Sequence, residues 1–233
     1  MSSTSPQSLN DRLAALVETA PDAGFSSSDE AQAMLEQLQQ ADSDLSTFLT
    51  RKGHRLPAAQ QLAIARLFQA ADASAYAPVL QQWSCNPALP LTVRATCLNA
   101  LTQLGTAPDV ELTQAVQQAE ALAQNLGATA AEPLTDDGAL EASWSEQVLT
   151  LPVAVALDVA RELTPDTPRR ALAVLDAVEP AAAGPERLTL VDRLAAIPLP
   201  ETAATLQNLL IRPRTKRLKK RLRKRCIDSS RMV

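Results

Sequence analysis

Histidine occurs once, at position 54, and cysteine three times, at 85, 97 and 226, with no C-x-x-C pair. A single imidazole excludes a His-based metal cluster, and any Ser–His or Cys–His nucleophile system would have to run through His54. Lying between Gly53 and Arg55, His54 reads as an exposed loop residue. Cys85 and Cys97 read as small core residues at helix-packing positions, and an odd, unpaired set of thiols fits a reducing, cytoplasmic compartment. Glycine is also scarce: six residues contain neither G-x-G-x-x-G nor G-x-x-x-x-G-K, which excludes a glycine-rich phosphate cradle. Aromatics make up 3% of the chain (Phe25, Phe48, Phe68, Tyr76, Trp83, Trp144), which argues against a β-sandwich or barrel. The longest apolar stretch, 148–160, is broken by Thr150 and Asp158 and is too short to span a bilayer. The first six residues lack the basic and apolar regions of a signal peptide.

What remains is rich in Ala and Leu: 46% of the 233 residues are apolar, a composition of high helix propensity that excludes disorder of the whole chain. Prolines 57, 90, 152, 185, 200 and 213 stand at or just before apolar-periodic stretches, and the glycines stand at their ends or between them, where a left-handed C-cap costs least. Within these bounds Ile64, Leu67, Phe68 and Ala71 follow the i, i+3, i+4, i+7 spacing of one helix face, as do Val153, Ala156, Leu157 and Ala160, and Ala171, Val174, Leu175 and Val178. The spacing predicts helices near 7–19, 28–40, 43–52, 57–72, 74–84, 90–104, 108–126, 140–149, 152–163, 167–178, 185–197, 200–211 and 213–226, with no strand pattern between them. An all-α chain of this kind is either a bundle or a stacked solenoid.

A Leu-Pro pair recurs at helix starts, at 56–57, 89–90, 151–152 and 199–200; spacings of 33 and 48 residues bracket one helix-turn-helix unit and favour the solenoid. The intervening spacing of 62 includes an irregular insertion from Gly127 to Gly138. The expected organisation is N-terminal helices over 1–55, a first lobe over 56–127, a loop over 128–139, a second lobe over 140–211 and a basic C-terminal helix over 212–233.

The segment Leu91-Thr-Val93-Arg94-Ala-Thr-Cys97-Leu98-Asn-Ala100-Leu101-Thr-Gln-Leu104-Gly105 resembles the first helix of a HEAT repeat, with its Val-Arg pair, Ala-Leu and closing Leu-Gly. Residues 56–71, and 151–163 followed by 168–178, resemble the same unit more loosely. The resemblance implies an α-solenoid of antiparallel helix pairs acting as a scaffold for a protein partner. Asn86-Pro87-Ala88-Leu89 occupies the stretch where such units carry an acidic residue before the Val-Arg pair. Arg94 is therefore expected to be a solitary turn-stabilising residue, not a rung of an Asp–Arg ladder. Some HEAT-like proteins are DNA glycosylases, which need a positive face and aromatic residues for an extruded base. Residues 1–211 hold 25 acidic and 11 basic residues, a charge of −14, and few aromatics, so that activity is not expected. Trp83 and Trp144 read as packing residues, and Asp136-Asp137 as a solvated turn.

The net charge of −4 conceals the opposite block, because residues 212–233 carry eleven Lys or Arg against one acid, Asp228. Ten of those cations lie within fourteen residues: Arg212, Arg214, Lys216, Arg217, Lys219, Lys220, Arg221, Arg223, Lys224 and Arg225. Leu218, Leu222 and Cys226 recur every four residues, giving a helix there a narrow apolar stripe and a broad cationic face. These ten cations are the expected binding residues, for an acidic protein partner, for a polyanion such as RNA or DNA, or for an anionic membrane surface; capping of the helical stack and docking on the acidic body are the other roles open to the segment. No catalytic, cofactor or metal residue is assigned, and the chain is expected to be a non-enzymatic cytoplasmic scaffold. The alternative is a nucleic-acid-associated protein acting through its basic end.

Overall fold

The computed structural model describes residues 8–19, 25, 27–128 and 133–211. Among them the chain is all-helical. The order is α1 (Leu9–Thr19), α2 (Ser28–Ala41), α3 (Leu45–Lys52), α4 (Ala58–Ala70), α5 (Ala77–Ser84), α6 (Leu91–Gln103), α7 (Val110–Ala128), α8 (Ala142–Thr150), α9 (Val153–Leu163), α10 (Pro168–Val178), α11 (Gly184–Ala196) and α12 (Pro200–Ile211). Short 3-10 turns at Gly53–Arg55 and Ser74–Tyr76 lead into α4 and α5, and an isolated antiparallel bridge joins Leu134 to Leu140. No described helix is long and apolar enough to cross a membrane. The chain divides into two compact units, Met1–Val116 and Gln117–Val233, with the seam inside α7.

Local chemistry explains where the helices begin. Pro57, Pro90 and Pro152 each sit at φ −54° with ψ between 137° and 149°, extended residues immediately ahead of α4, α6 and α9. They occupy the N-cap, one residue earlier than the first-turn position expected from sequence, because the fixed ring dihedral suits either site. Ser27 caps α2 through its Oγ, which accepts from the Glu30 amide at 3.1 Å, and Asp109 Oδ1 accepts from the Leu112 amide at the start of α7.

In the first unit α4 and α6 pack side by side at the centre, with α1 and α2 against α4 and α5 against α6. Their core includes Leu13, Leu16, Leu35, Leu38, Leu45, Leu49, Ile64, Leu67, Phe68, Leu80, Val93 and Leu101. Helix α6 buries Leu91, Val93, Ala95, Cys97, Leu98, Ala100 and Leu101 around most of its circumference. Phe68 stacks on Tyr76 with ring centroids 4.2 Å apart, and the Tyr76 hydroxyl accepts from Gln39 Nε2 at 3.1 Å. In the second unit α9 and α10 form the closest pair, α8 lies on α10, α11 on α9, and α12 on α11. Ala156, Leu157, Val159, Ala160, Ala171, Val174, Leu175, Leu190, Val191 and Leu194 form its interior.

The two central helices of the first unit repeat one another 33 residues apart. Gln61 and Arg94 stand at the same position, four residues after Pro57 and Pro90, and both are buried polar residues in an apolar core. Each donates to a carbonyl that ends the preceding helix: Gln61 Nε2 to Gly53 O at 3.0 Å, Arg94 Nε to Ser84 O at 2.9 Å. A helix C-terminus has carbonyls that the helix itself cannot satisfy, and Arg94 supplies a donor to one of them; Gly53 O also accepts from the Leu56 amide at 3.1 Å, so Gln61 adds a second bond there. The C-termini match as well. Ala73 N donates to Phe68 O at 2.9 Å and Thr106 N to Leu101 O at 3.0 Å, each across a left-handed residue, Asp72 (φ 48°) in the first case and Gly105 (φ 69°) in the second.

Candidate functional site

The ten cations singled out from sequence, Arg212, Arg214, Lys216, Arg217, Lys219, Lys220, Arg221, Arg223, Lys224 and Arg225, all lie outside the described residues, as does the helix expected over 213–226. Arg94 performs the turn-stabilising role expected of it, through the Ser84 carbonyl. Gln61, its counterpart, was not picked out from sequence. Alignment of Leu56-Pro57 with Leu89-Pro90 would have found it, since the register places an amide donor where the second copy has a guanidinium.

Other expectations divide. His54 is exposed in its 3-10 turn, and Trp83 is packed at 1% exposure. Cys97 is a core residue with its thiol pushed up to about 12 by burial, but Cys85 is exposed at the end of α5 and corrects the expectation of a second core thiol. The glycine reading holds at Gly105 and fails at Gly53, whose backbone is right-handed (φ −57°). Gly53 is instead a point of close approach, because a Cβ there would overlap Cζ2 of Trp83.

The second unit carries two charged arrangements. Asp158 of α9 is buried at 2% exposure and faces two cations, Arg161 Nη1 at 3.6 Å and Arg193 Nη2 of α11 at 3.4 Å. Burial and the neighbouring Arg161 hold Arg193 below the usual guanidinium range, against the attraction of Asp158, Asp192 and Glu162. Arg161 Nη2 also meets Glu162 Oε1 at 3.1 Å. A carboxylate compensated on two sides ties α9 to α11; its chemistry is that of a structural ion cluster.

The other arrangement is an open cleft of about 580 Å³ between the 134–138 loop, α10 and the beginning of α12. The half-buried Leu134, Leu172 and Leu199 contribute apolar surface, and Asp136, Asp137, Asp176 and Glu201 face it together with, among the described residues, one cation, Arg169. A smaller hollow of about 280 Å³ shares Asp137, Gly138 and Asp176 and reaches Ser145 and Ala173. The loop is held by the Thr135 amide donating to Ala139 O at 2.8 Å and the Gly138 amide to Thr135 O at 2.8 Å, with Gly138 at φ 83°. The Thr135 hydroxyl donates to Asp137 Oδ1, and this bond, with a backbone bond at Ala139, holds the exposed Asp137 carboxyl below the usual range. Asp176 is shifted the other way. Although its side chain reaches the surface, protein atoms crowd its carboxyl and raise it, and the charge of Glu179 adds to the rise. Asp136 and Asp137 are thus solvated turn residues, as expected, that also form one wall of a cleft. Among the described residues no group of three or more His, Cys, Asp or Glu is placed to hold a metal ion.

The chain gives no significant match to any family model, curated protein or solved structure.

Proposed function

We propose that the chain is a non-enzymatic, HEAT-like α-solenoid scaffold for a protein partner, with its cationic C-terminal segment supplying a second, electrostatic contact. The observation that carries the proposal is next-but-one packing within each unit: α3 on α5 and α4 on α6 in the first, α8 on α10 and α9 on α11 in the second. Stacked helical hairpins place equivalent helices side by side in this way. The matching hydrogen bonds of Gln61 and Arg94 support a repeated unit. Cysteines without a pairing pattern fit a reducing, cytoplasmic setting.

A charge of +10 in the last 22 residues favours a second reading, in which nucleic acid is the partner. If about five of the ten cations meet phosphates, log affinity falls with log salt at a slope near −4.5 on duplex DNA and near −3.5 on single strands. No aromatic residue interleaves with them, so little sequence preference is expected. Capture of partners from lysate by the full chain and by a chain ending at Ile211, each with and without nuclease, separates the two. The scaffold reading expects protein partners that survive nuclease. Capture abolished by nuclease and by the truncation overturns it in favour of the nucleic-acid reading.

A further inference from the structure

We infer that the cleft between the 134–138 loop, α10 and α12 is the docking site for the chain's own basic segment, residues 212–225, which a partner or polyanion must then displace. The inference goes beyond the scaffold reading and does not depend on it.

The first ground is chemical complementarity on two counts. The cleft combines the apolar surface of Leu134, Leu172 and Leu199 with carboxylates at 136, 137, 176 and 201. The segment combines Leu218 and Leu222, one helical turn apart, with ten cations and no acid. Apolar surface bordered by one sign of charge therefore meets an apolar pair bordered by the other, and among the described residues the one cation, Arg169, leaves the cleft with a clear acidic excess. At Asp176, where burial already disfavours the charged carboxylate, an arriving cation relieves an unfavourable charge.

The second ground is connectivity. Glu201 and Thr205 belong to α12, described as far as Ile211, and the basic segment follows it in sequence. Ten residues of helix, from Glu201 to Ile211, carry the chain about 15 Å from the cleft. The residue before a proline is disfavoured in the helical region, so the Arg212-Pro213 sequence makes a reversal there an expectation. Fourteen residues span up to about 46 Å when extended, enough to return and lay Leu218 and Leu222 against the cleft. A tether this short gives an effective concentration of about millimolar, so pairing that would be weak between separate molecules is well populated within one chain.

The test uses the full chain at low salt. Carbodiimide coupling joins an amine to a carboxylate in contact with it, and the segment offers Lys216, Lys219, Lys220 and Lys224. The expected products join these lysines to Asp136, Asp137, Asp176 or Glu201. In an equal mixture of light and heavy-nitrogen chains they should be isotopically unmixed, as intrachain links must be. Links spread over exposed acids elsewhere, such as Glu36, Asp72 and Glu111, overturn the inference, and mixed-isotope links at the cleft overturn it in favour of a second copy. Heparin affinity provides the independent reading. If the segment is docked about nine-tenths of the time, Asp136→Asn/Asp137→Asn/Glu201→Gln should bind heparin about tenfold more tightly. The variant Glu36→Gln/Asp72→Asn/Glu111→Gln makes the same change in net charge and should gain much less; equal gains overturn the inference. Failure of the scaffold reading would leave the crosslinks in place, so the two fail separately.

Discussion

A methyl group added at Gly53 collides with the indole of Trp83, and nothing else about the position forbids it, since φ −57° and ψ −31° suit alanine well. With the collision absent, Gly→Ala at such a backbone stabilises by about 0.4–1 kcal/mol through the unfolded chain; overpacking against a fully buried ring costs about 1–3 kcal/mol. The second term is the larger, so Gly53→Ala is expected to destabilise by about 1–2 kcal/mol in denaturant melts. In a Trp83→Leu background the same change should turn neutral or favourable. Additivity of the two substitutions would show that the ring is not the reason for the glycine. The thiols offer a simpler check. With Cys97 at about 12, its thiolate is negligible at pH 8, so iodoacetamide should label the exposed Cys85 in the native protein and reach Cys97 only after unfolding. Rapid native labelling of Cys97 would contradict the burial that raises it.

The helices themselves test the repeat, because α4 and α6 end in the same motif with different residues at its left-handed position. Gly105 has no heavy atom within 4 Å of a Cβ built there, so a substitution would cost only the dihedral penalty. Asp72 already bears that cost, at φ 48°. Asp72→Gly should therefore stabilise the protein and Gly105→Ala destabilise it, each by about 1 kcal/mol, measured as opposite shifts in the denaturant midpoint. Shifts of one sign would mean that the two ends are not equivalent. These ends also show what could be read in advance. Helix limits were legible because Pro57, Pro90, Pro152 and Pro200 start elements wherever they fall, and the 3.6-residue apolar period survives in α4, α9 and α10. The role of Arg94 was legible from its place in one repeat-like segment. That of Gln61 was not, because a buried amide has no charge to draw attention; nor was that of Gly53, because close approach depends on Trp83, thirty residues away. The cleft was half legible. Its Asp136-Asp137 turn was visible as a turn, but Asp176 and Glu201 join it only through the packing of α10 and the start of α12.

For the molecule as a whole, the excess of acids over bases in residues 1–211 makes stability a function of pH, with a sign that two carboxyls decide. Glu120 and Asp176 lie above their ordinary values of 4.5 and 3.8, first because burial disfavours their charged forms and second because Glu162 and Glu179 repel them. A carboxyl raised on folding binds more protons folded than unfolded, so its penalty is fully present at neutral pH and disappears as pH falls through the raised value toward the ordinary one. Asp137 acts in the opposite sense. Its lowered carboxyl adds stability above 3.8 that is lost only as pH falls below that value. The thermal midpoint is therefore expected to rise as pH is lowered from 7 to about 5 and to fall again below about 4. In about 0.5 M salt, exposed charges are screened, so the part of the rise caused by burial should persist. Glu120→Gln removes one of the two raised groups without touching the cleft, and should raise the midpoint at pH 7 while flattening the slope between 7 and 5. A midpoint that falls steadily from pH 7 to 5, or a variant whose slope matches that of the parent, would show that the two raised carboxyls do not set the slope.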